Sequence, residues 1–216
     1  ENGSHFLEVT RRANRKKPVI ILKSGTSQAG AQAASSHTGA LAGSDLAYET
    51  AFRQCGVIRA RSMPELFDLA VSFANQPVPA GDRVAVITNS GGPGIIATDA
   101  IELKGLKMAR FTKETVEELR NYLPAESNIY NPVDVLGDAK ADRFRFSLEK
   151  VLADPGVDSA VVLVCPAGVT EPAETARALI EMRKLHPEKP LFAAFMGGEK
   201  LEEGVELLGE NGIPCL

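Results

Sequence analysis

The stretches "RVAVITN", "DSAVVLVCP" and "PLFAAFM" are apolar at consecutive positions, and each runs on towards residues with helical periodicity. A strand with one wet face alternates polar and apolar side chains. A strand that is apolar throughout needs cover on both faces, which is the condition of a parallel sheet between helices. The shorter runs "LKMAR" and "IPCL" complete a set of five strands within residues 79–216. Helical segments alternate with them: "PGIIATDAIELKG", "TKETVEELRNYL", "ADRFRFSLEKVLAD", "EPAETARALIEMRKLH" and "EKLEEGVELLGENG". Right-handed crossovers then predict an α/β fold, a doubly wound parallel sheet of the flavodoxin-like kind with helices on both faces. The proline-interrupted "PAESNIYNPVDVLGD" reads as an irregular loop inside it.

Residues 1–78 carry the same alphabet in fewer letters. "PVIIL" and "VIRA" read as short strands. "SDLAYETAFRQCG" reads as a helix capped by Ser44 or Asp45 and stopped by Gly56, and "SMPELFDLAVSFAN" as one capped by Ser62 with Pro64 in its first turn. Two strands do not close a flavodoxin-like sheet, so this part is expected to be a partial domain, truncated at its N-terminus. "NQPVPAGD" reads as the linker between the two parts.

Composition excludes several classes. The net charge is −4 and the 24 Lys and Arg are dispersed without interleaved aromatics, which argues against a nucleic-acid partner. No apolar run approaches the roughly 20 residues needed to cross a bilayer. The N-terminal "ENGSHFLEVTRRANRKK" has no apolar segment behind its charges, and a start at Glu1 reads as a cut through a longer chain. Cys55, Cys165 and Cys215 are odd in number and far apart, the pattern of free thiols in a cytoplasmic protein.

The segment "VAVITNSGGPGIIATDA" takes an apolar strand through Asn89, Ser90, Gly91, Gly92, Pro93 and Gly94 directly into a helix. In an open parallel sheet such turns lie at the carboxyl ends of the strands, where ligands bind. Glycine lets the backbone approach a ligand, and a helix start carries about half a positive charge that favours an anion. No Gly-Lys-Ser/Thr follows, so this is not a Walker loop. The dinucleotide spacing is also absent, and Arg110 stands where an acid would be wanted. The turn is a candidate phosphate site, or simply a turn.

Residues 34–43, "ASSHTGALAG", place one of only three histidines in a run of small residues, read here as a bare loop. Four roles compete for His37: a surface histidine without function, a metal ligand, a general base beside Ser35 and Ser36, or a nucleophile that carries a phosphoryl group. The metal reading lacks partners within ten residues, and the base reading lacks an orienting carboxylate. A carrier needs a nitrogen nucleophile and narrow surroundings, which small neighbours provide. His5 and His186 are read as without function, and Lys23 and Ser24 either line a site or begin a loop.

The segment from "KPVIILKSGTSQAGAQAASSHTGALAGSD" through "SMPELFDLA" resembles the phosphohistidine region of the NDP-forming acyl-CoA synthetases, the acetyl-CoA synthetase (ADP-forming) group. That group is similar in turn to succinyl-CoA synthetase. "RVAVITNSGGPGIIATDAIELKG" through "NPVDVLG" resembles the ligase domain that follows it in the same family. The resemblance implies a phosphohistidine-bearing part of a flavodoxin domain over 1–78 and a second flavodoxin-like ligase domain over 79–216. It implies an acid–thiol ligase that interconverts acyl-CoA, ADP and phosphate with carboxylic acid, CoA and ATP through a phosphohistidine on a mobile loop. His37 matches the phosphorylated residue, with Ser36, Thr38 and Gly39 in its loop. Asn89, Ser90, Gly91, Gly92 and Gly94 match the phosphate-binding turn, and Asn131 and Asp134 of "NPVD" are possible lining residues. The family's CoA-binding Rossmann domain and its ATP-grasp domain or subunit are expected partners that lie outside these residues. They would bind most of the CoA and of the ADP or ATP with Mg2+, and the glutamate that orients the histidine is expected just before Glu1. A small acyl substrate, an oligomer and a cytoplasmic location are also implied; a membrane and a protein-bound metal are not. Two other readings stand beside this one: a synthetase-like regulatory region of a protein lysine acetyltransferase, and an interaction domain without catalysis.

Overall fold

The structure is a computed structural model that describes residues 2–38 and 44–215. The chain divides into two compact units, Glu1–Phe73 and Ala74–Leu216. Among the described residues no helix is long and apolar enough to cross a membrane.

In the first unit, α1 (Gly3–Asn14) leads to β1 (Ile20–Leu22), followed by α2 (Gln28–Thr38), α3 (Asp45–Cys55), β2 (Ile58–Ala60) and α4 (Met63–Asn75), which runs across the boundary. β1 and β2 pair in parallel, with Ile20 opposite Ile58 and Leu22 opposite Ala60. Two polar devices fix this small sheet against α3. Asn14 donates to the carbonyls of Cys55 and Gly56 at 3.1 and 2.6 Å and accepts from the N–H of Val19 at 3.1 Å. Arg59 on β2 forks onto Asp45 (2.6 and 3.2 Å) and reaches Glu49 at 2.8 Å, two acids one helical turn apart on α3. The helix ends follow the sequence in part. Gly56 stops α3 in the left-handed region (φ 69°), and Ser62 Oγ accepts from Glu65 N–H at 3.2 Å. Ser44 occupies the N-cap of α3 without a side-chain bond, and Asp45, the other candidate, is spent on Arg59.

The second unit contains β3 (Arg83–Thr88), α5 (Gly91–Leu103), β4 (Lys107–Met108), α6 (Lys113–Tyr122), β5 (Val133–Asp134), α7 (Ala141–Ala153), β6 (Ser159–Val164), α8 (Pro172–Leu185), β7 (Leu191–Phe195), a 3-10 turn (Gly198–Leu201) and α9 (Glu202–Glu210). Its sheet is parallel in the order β4-β3-β6-β7, and β5 pairs with the far end of β3 beyond β4. Two expectations change here. The fifth strand is β5, inside the loop read as irregular. "IPCL" makes only an isolated bridge, Ala193 with Cys215, because Pro214 offers a carbonyl to Ala193 N–H (2.9 Å) but has no N–H to return. Helices also cover the two faces unequally. Ala85, Ile87, Val162 and Val164 pack with Leu119, Leu148, Leu179 and Leu208 from α6, α7, α8 and α9. Val84, Val86 and Leu163 meet Ile101 of α5, and Val161 and Ala194 beside them stay partly exposed.

The residues read as a linker are partly structural. Gln76 is buried and bonds Gly212 O (2.7 Å) and Leu191 N–H (3.0 Å), so the chain is anchored to unit 2 before β3 begins.

Asp158, just before β6, accepts from the backbone N–H and from guanidinium Nε and Nη2 of Arg83 at 2.8–2.9 Å. The guanidinium holds its carboxyl at about 2, below the usual value, against the opposing effect of burial. An unfolded Asp ionises near 4, so the pair contributes fully above about pH 4 and is lost as pH falls towards 2. We expect Asp158→Asn to lower the urea midpoint at neutral pH and to flatten its dependence between pH 4 and 2. An unchanged pH profile would show that the pair does not stabilise β3 against β6.

Candidate functional site

The histidine segment is helical where a loop was expected. α2 runs from Gln28 to Thr38, so Ser36, His37 and Thr38 occupy its last turn, and Gly39 lies outside the described residues. The sequence did carry the signal. Ser27 starts the helix, its carbonyl accepting from Ala31 N–H at 2.8 Å and its hydroxyl from Gly30 N–H at 3.1 Å. The alanines after it, which read as bareness, are the best helix formers. Ser36 is exposed, and its hydroxyl donates to Gln32 O at 3.0 Å, as serine commonly does within a helix.

The glycine turn is built by using up its polar groups one after another. Asn89 is buried, and its amide clamps Cys165 at the end of β6, accepting from its N–H and donating to its carbonyl, both at 2.8 Å. Its side chain therefore joins two strand ends. Thr88, which sequence reasoning passed over, accepts from Ser90 N–H at 3.0 Å and donates to Ser90 O at 2.9 Å. α5 begins at Gly91, earlier than the pattern of apolar residues indicated. Ser90 is its N-cap in extended conformation but makes no side-chain cap bond. Pro93 has no N–H, and Gly94 N–H reaches Ser90 O at 3.4 Å. What remains open among the described residues is the pair of N–H groups of Gly91 and Gly92, both exposed at the positive end of a thirteen-residue helix.

The glycines differ in purpose. A Cβ on Gly92 would meet nothing within 4 Å, whereas one on Gly94 would stand 3.1 Å from Thr88 Cγ2 and 3.5 Å from Pro132. Gly94 is needed for packing against the "NPVD" segment, and Gly92 leaves open space above the helix start.

"NPVD" divides likewise. Asn131 accepts from Val86 N–H at 2.9 Å and donates to the carbonyls of Val84 (2.8 Å) and Ala109 (3.0 Å). Its amide fills the sheet position between β4 and β5. Asp134 accepts from Leu136 N–H at 2.9 Å, and its other oxygen lies 3.6 Å from where a Cβ on Gly91 would be. It is the acidic neighbour of the open helix start. We expect Gly94→Ala to cost about 1–2 kcal/mol in urea unfolding, from overpacking. Gly92→Ala should be neutral or stabilising by up to about 1 kcal/mol. Equal losses at both positions would contradict this division.

Comparison with known proteins adds the following. Residues 1–73 match the succinyl-CoA ligase like flavodoxin domain, and residues 84–216 match the Ligase-CoA domain. The chain is 43% identical to the acetate–CoA ligase [ADP-forming] II subunit alpha of Pyrococcus furiosus, over 99% of this chain and 47% of that protein. It is 45% identical to acetate–CoA ligase [ADP-forming] I of Archaeoglobus fulgidus, over 99% of this chain and 30% of that protein. A solved structure of dinucleotide forming acetyl-coenzyme A synthetase 1 from Ca. Korarchaeum cryptofilum, in complex with phosphate and ADP, superposes with a TM-score of 0.93. The two are 33% identical, over 99% of this chain and 46% of that one. The chain thus spans about half the length, or less, of these relatives. With both domain families matched in order and the glycine turn built as an open helix start, the chain belongs to the Ligase-CoA domain family, in the NDP-forming acyl-CoA synthetase group of the succinyl-CoA synthetase superfamily.

Proposed function

We propose that this chain is the histidine-bearing ligase part of an ADP-forming acyl-CoA synthetase. The reaction interconverts acyl-CoA, ADP and phosphate with carboxylic acid, CoA and ATP. One observation carries the reading: α5 starts with two unspent N–H groups, at Gly91 and Gly92, while the side chains of Thr88 and Asn89 and the N–H of Ser90 before them are engaged. Such a start suits phosphate, because backbone donors and the helix dipole both favour a compact anion.

In the forward direction a phosphate oxygen attacks the thioester carbonyl carbon, the C–S bond breaks and CoA leaves as its thiol. An imidazole nitrogen of His37 then attacks phosphorus in the acyl phosphate and the carboxylate departs. Finally an oxygen of the ADP β-phosphate takes the phosphoryl group, giving ATP and free histidine. Little covalent work falls to the protein in such transfers. Its contribution is positioning and charge stabilisation, the role we assign to Gly91, Gly92 and Ser90. Ser36, Thr38 and Gly39 are assigned to the carrier segment, and Asn89, Gly94 and Asn131 to holding the turn. Asp134 lies beside the turn, where its carboxylate opposes an anion that the helix start attracts.

On this reading residues 1–78 form the phosphohistidine part and 79–216 the second ligase domain. A CoA-binding Rossmann domain and an ATP-grasp domain or subunit supply the remaining sites within a cytoplasmic oligomer. Among the described residues no group of three or more His, Cys, Asp and Glu could hold a metal ion, and no residue here is assigned to the Mg2+ that accompanies the nucleotide.

The test is to supply the CoA-binding and ATP-grasp parts and incubate with ATP labelled at the γ-phosphate. Acid-labile, base-stable label should appear on His37 and be absent in His37→Ala. Equal labelling of that variant would remove the carrier role.

A further inference from the structure

Unit 2 contains a cavity of about 570 Å3 at the amino ends of β3, β6 and β7, the pole of the sheet opposite the glycine turn. Pro77, Val78 and Pro155 supply apolar wall, and Arg83, Asp158, Glu188 and Lys189 are the charged groups among the described residues that line it. Lys189 is half-buried, and its ammonium donates to the carbonyls of Leu152 and Asp154 at 2.5 and 2.8 Å. These lie at the carboxyl end of α7, where a helix leaves its last carbonyls without internal partners. Lys189 thus clamps the end of α7, and none of the transfer steps above uses it.

The acids around Lys189 face other groups. Asp158 is held by Arg83, the Asp154 carboxylate accepts from the N–H groups of Thr112 and Gly156, and Glu188 lies 3.8 Å from His186 Nδ1. Among the described residues none of them forms an ion pair with the Lys189 ammonium. Burial pushes this ammonium below its usual value, against the charges of Glu188, Asp154 and Asp158 and together with that of Arg83. The two hydrogen bonds do not require a charge. A neutral amine has two N–H donors, one for each carbonyl, and its lone pair takes the direction of the third ammonium proton.

We propose that Lys189 is an acylation site, at which the chain is modified by the acyl phosphate of its own reaction and α7 loses its clamp. The amine nitrogen attacks the carbonyl carbon of the acyl phosphate. The bond from that carbon to the bridging oxygen breaks, and phosphate leaves with the proton that the nitrogen gives up. The acyl group then lies in the cavity against Pro77, Val78 and Pro155, where there is room for a short aliphatic chain. An amide nitrogen has one hydrogen and no charge, so one of the two carbonyls at the end of α7 loses its donor. The source of the acyl phosphate rests on the acyl-CoA synthetase reading; the reactivity of Lys189 does not.

Incubating the purified chain with acetyl phosphate, and following each lysine by mass spectrometry, tests this. Lys104, Lys113 and Lys184, all exposed, serve as standards. At about pH 7.5 Lys189 should be acetylated at least about threefold faster than any of them, since an ordinary lysine stays mostly protonated until about pH 10. Its rate should also level off at a lower pH than theirs. A Lys189 rate equal to or below the standards overturns the proposal. The chain acetylated at Lys189, and Lys189→Gln, should unfold at a lower urea concentration, whereas Lys189→Arg, which keeps donors and charge, should stay close to the parent. An unchanged midpoint in the acetylated chain overturns the loss of the clamp. Labelling of His37 in the completed enzyme separates the two ideas. Lost labelling with fast Lys189 acetylation defeats the carrier mechanism alone, and normal labelling with slow Lys189 acetylation defeats the acylation site alone.

Discussion

The second unit depends on holding β3 in a single register. A half-wet strand has its register set by alternation, since a slip by one residue would turn its apolar side chains to solvent. β3 lacks that safeguard, because Val84, Ala85, Val86 and Ile87 are buried on both faces. Polar groups at its start, middle and end supply what alternation cannot. Asp158 grips the N–H and guanidinium of Arg83 at the start, Asn131 bonds Val84 and Val86 in the middle, and Asn89 bonds Cys165 at the end. Each anchor meets its partner in only one register.

These anchors also define the candidate phosphate site by subtraction. Holding the carboxyl end of β3 consumes the amide of Asn89, the hydroxyl of Thr88 and the N–H of Ser90. The backbone donors left free after them are those of Gly91 and Gly92. Residues that look equivalent in the motif therefore differ in role. Asn89 and Gly94 are buried against neighbouring segments, while Gly91 and Gly92 are exposed. The same logic applies in the first unit, where Asp45 and Glu49 are spent on Arg59.

Much of this was legible in the sequence. The long apolar runs mark β3, β6 and β7, Gly56 marks the end of α3, and the glycine turn marks the start of α5. Two elements were hidden for opposite reasons. α2 has strong local signals, Ser27 and its alanines, but small residues around a histidine suggest a loop when flexibility is taken as the theme. β5 has almost no local signal. Val133 and Asp134 are a strand only because Ile87 and Thr88 lie beside them and Asn131 closes the gap to β4. "IPCL" is the converse, a strand-like run reduced to one bridge by Pro214.

By itself the sequence determined the alternation of strands and helices, the parallel α/β class, and a histidine and a glycine turn of a recognisable family pattern. These follow from short-range physics: burial periodicity, helix capping and the backbone freedom of glycine. Only the tertiary structure decided which polar groups are spent and which are free, because that depends on strands distant in sequence supplying the partners. It gave the Asn131 amide its partners in the sheet, and left two glycine N–H groups open. A buried amide must find partners wherever the fold puts it, and a helix start can receive an anion only where none has been found.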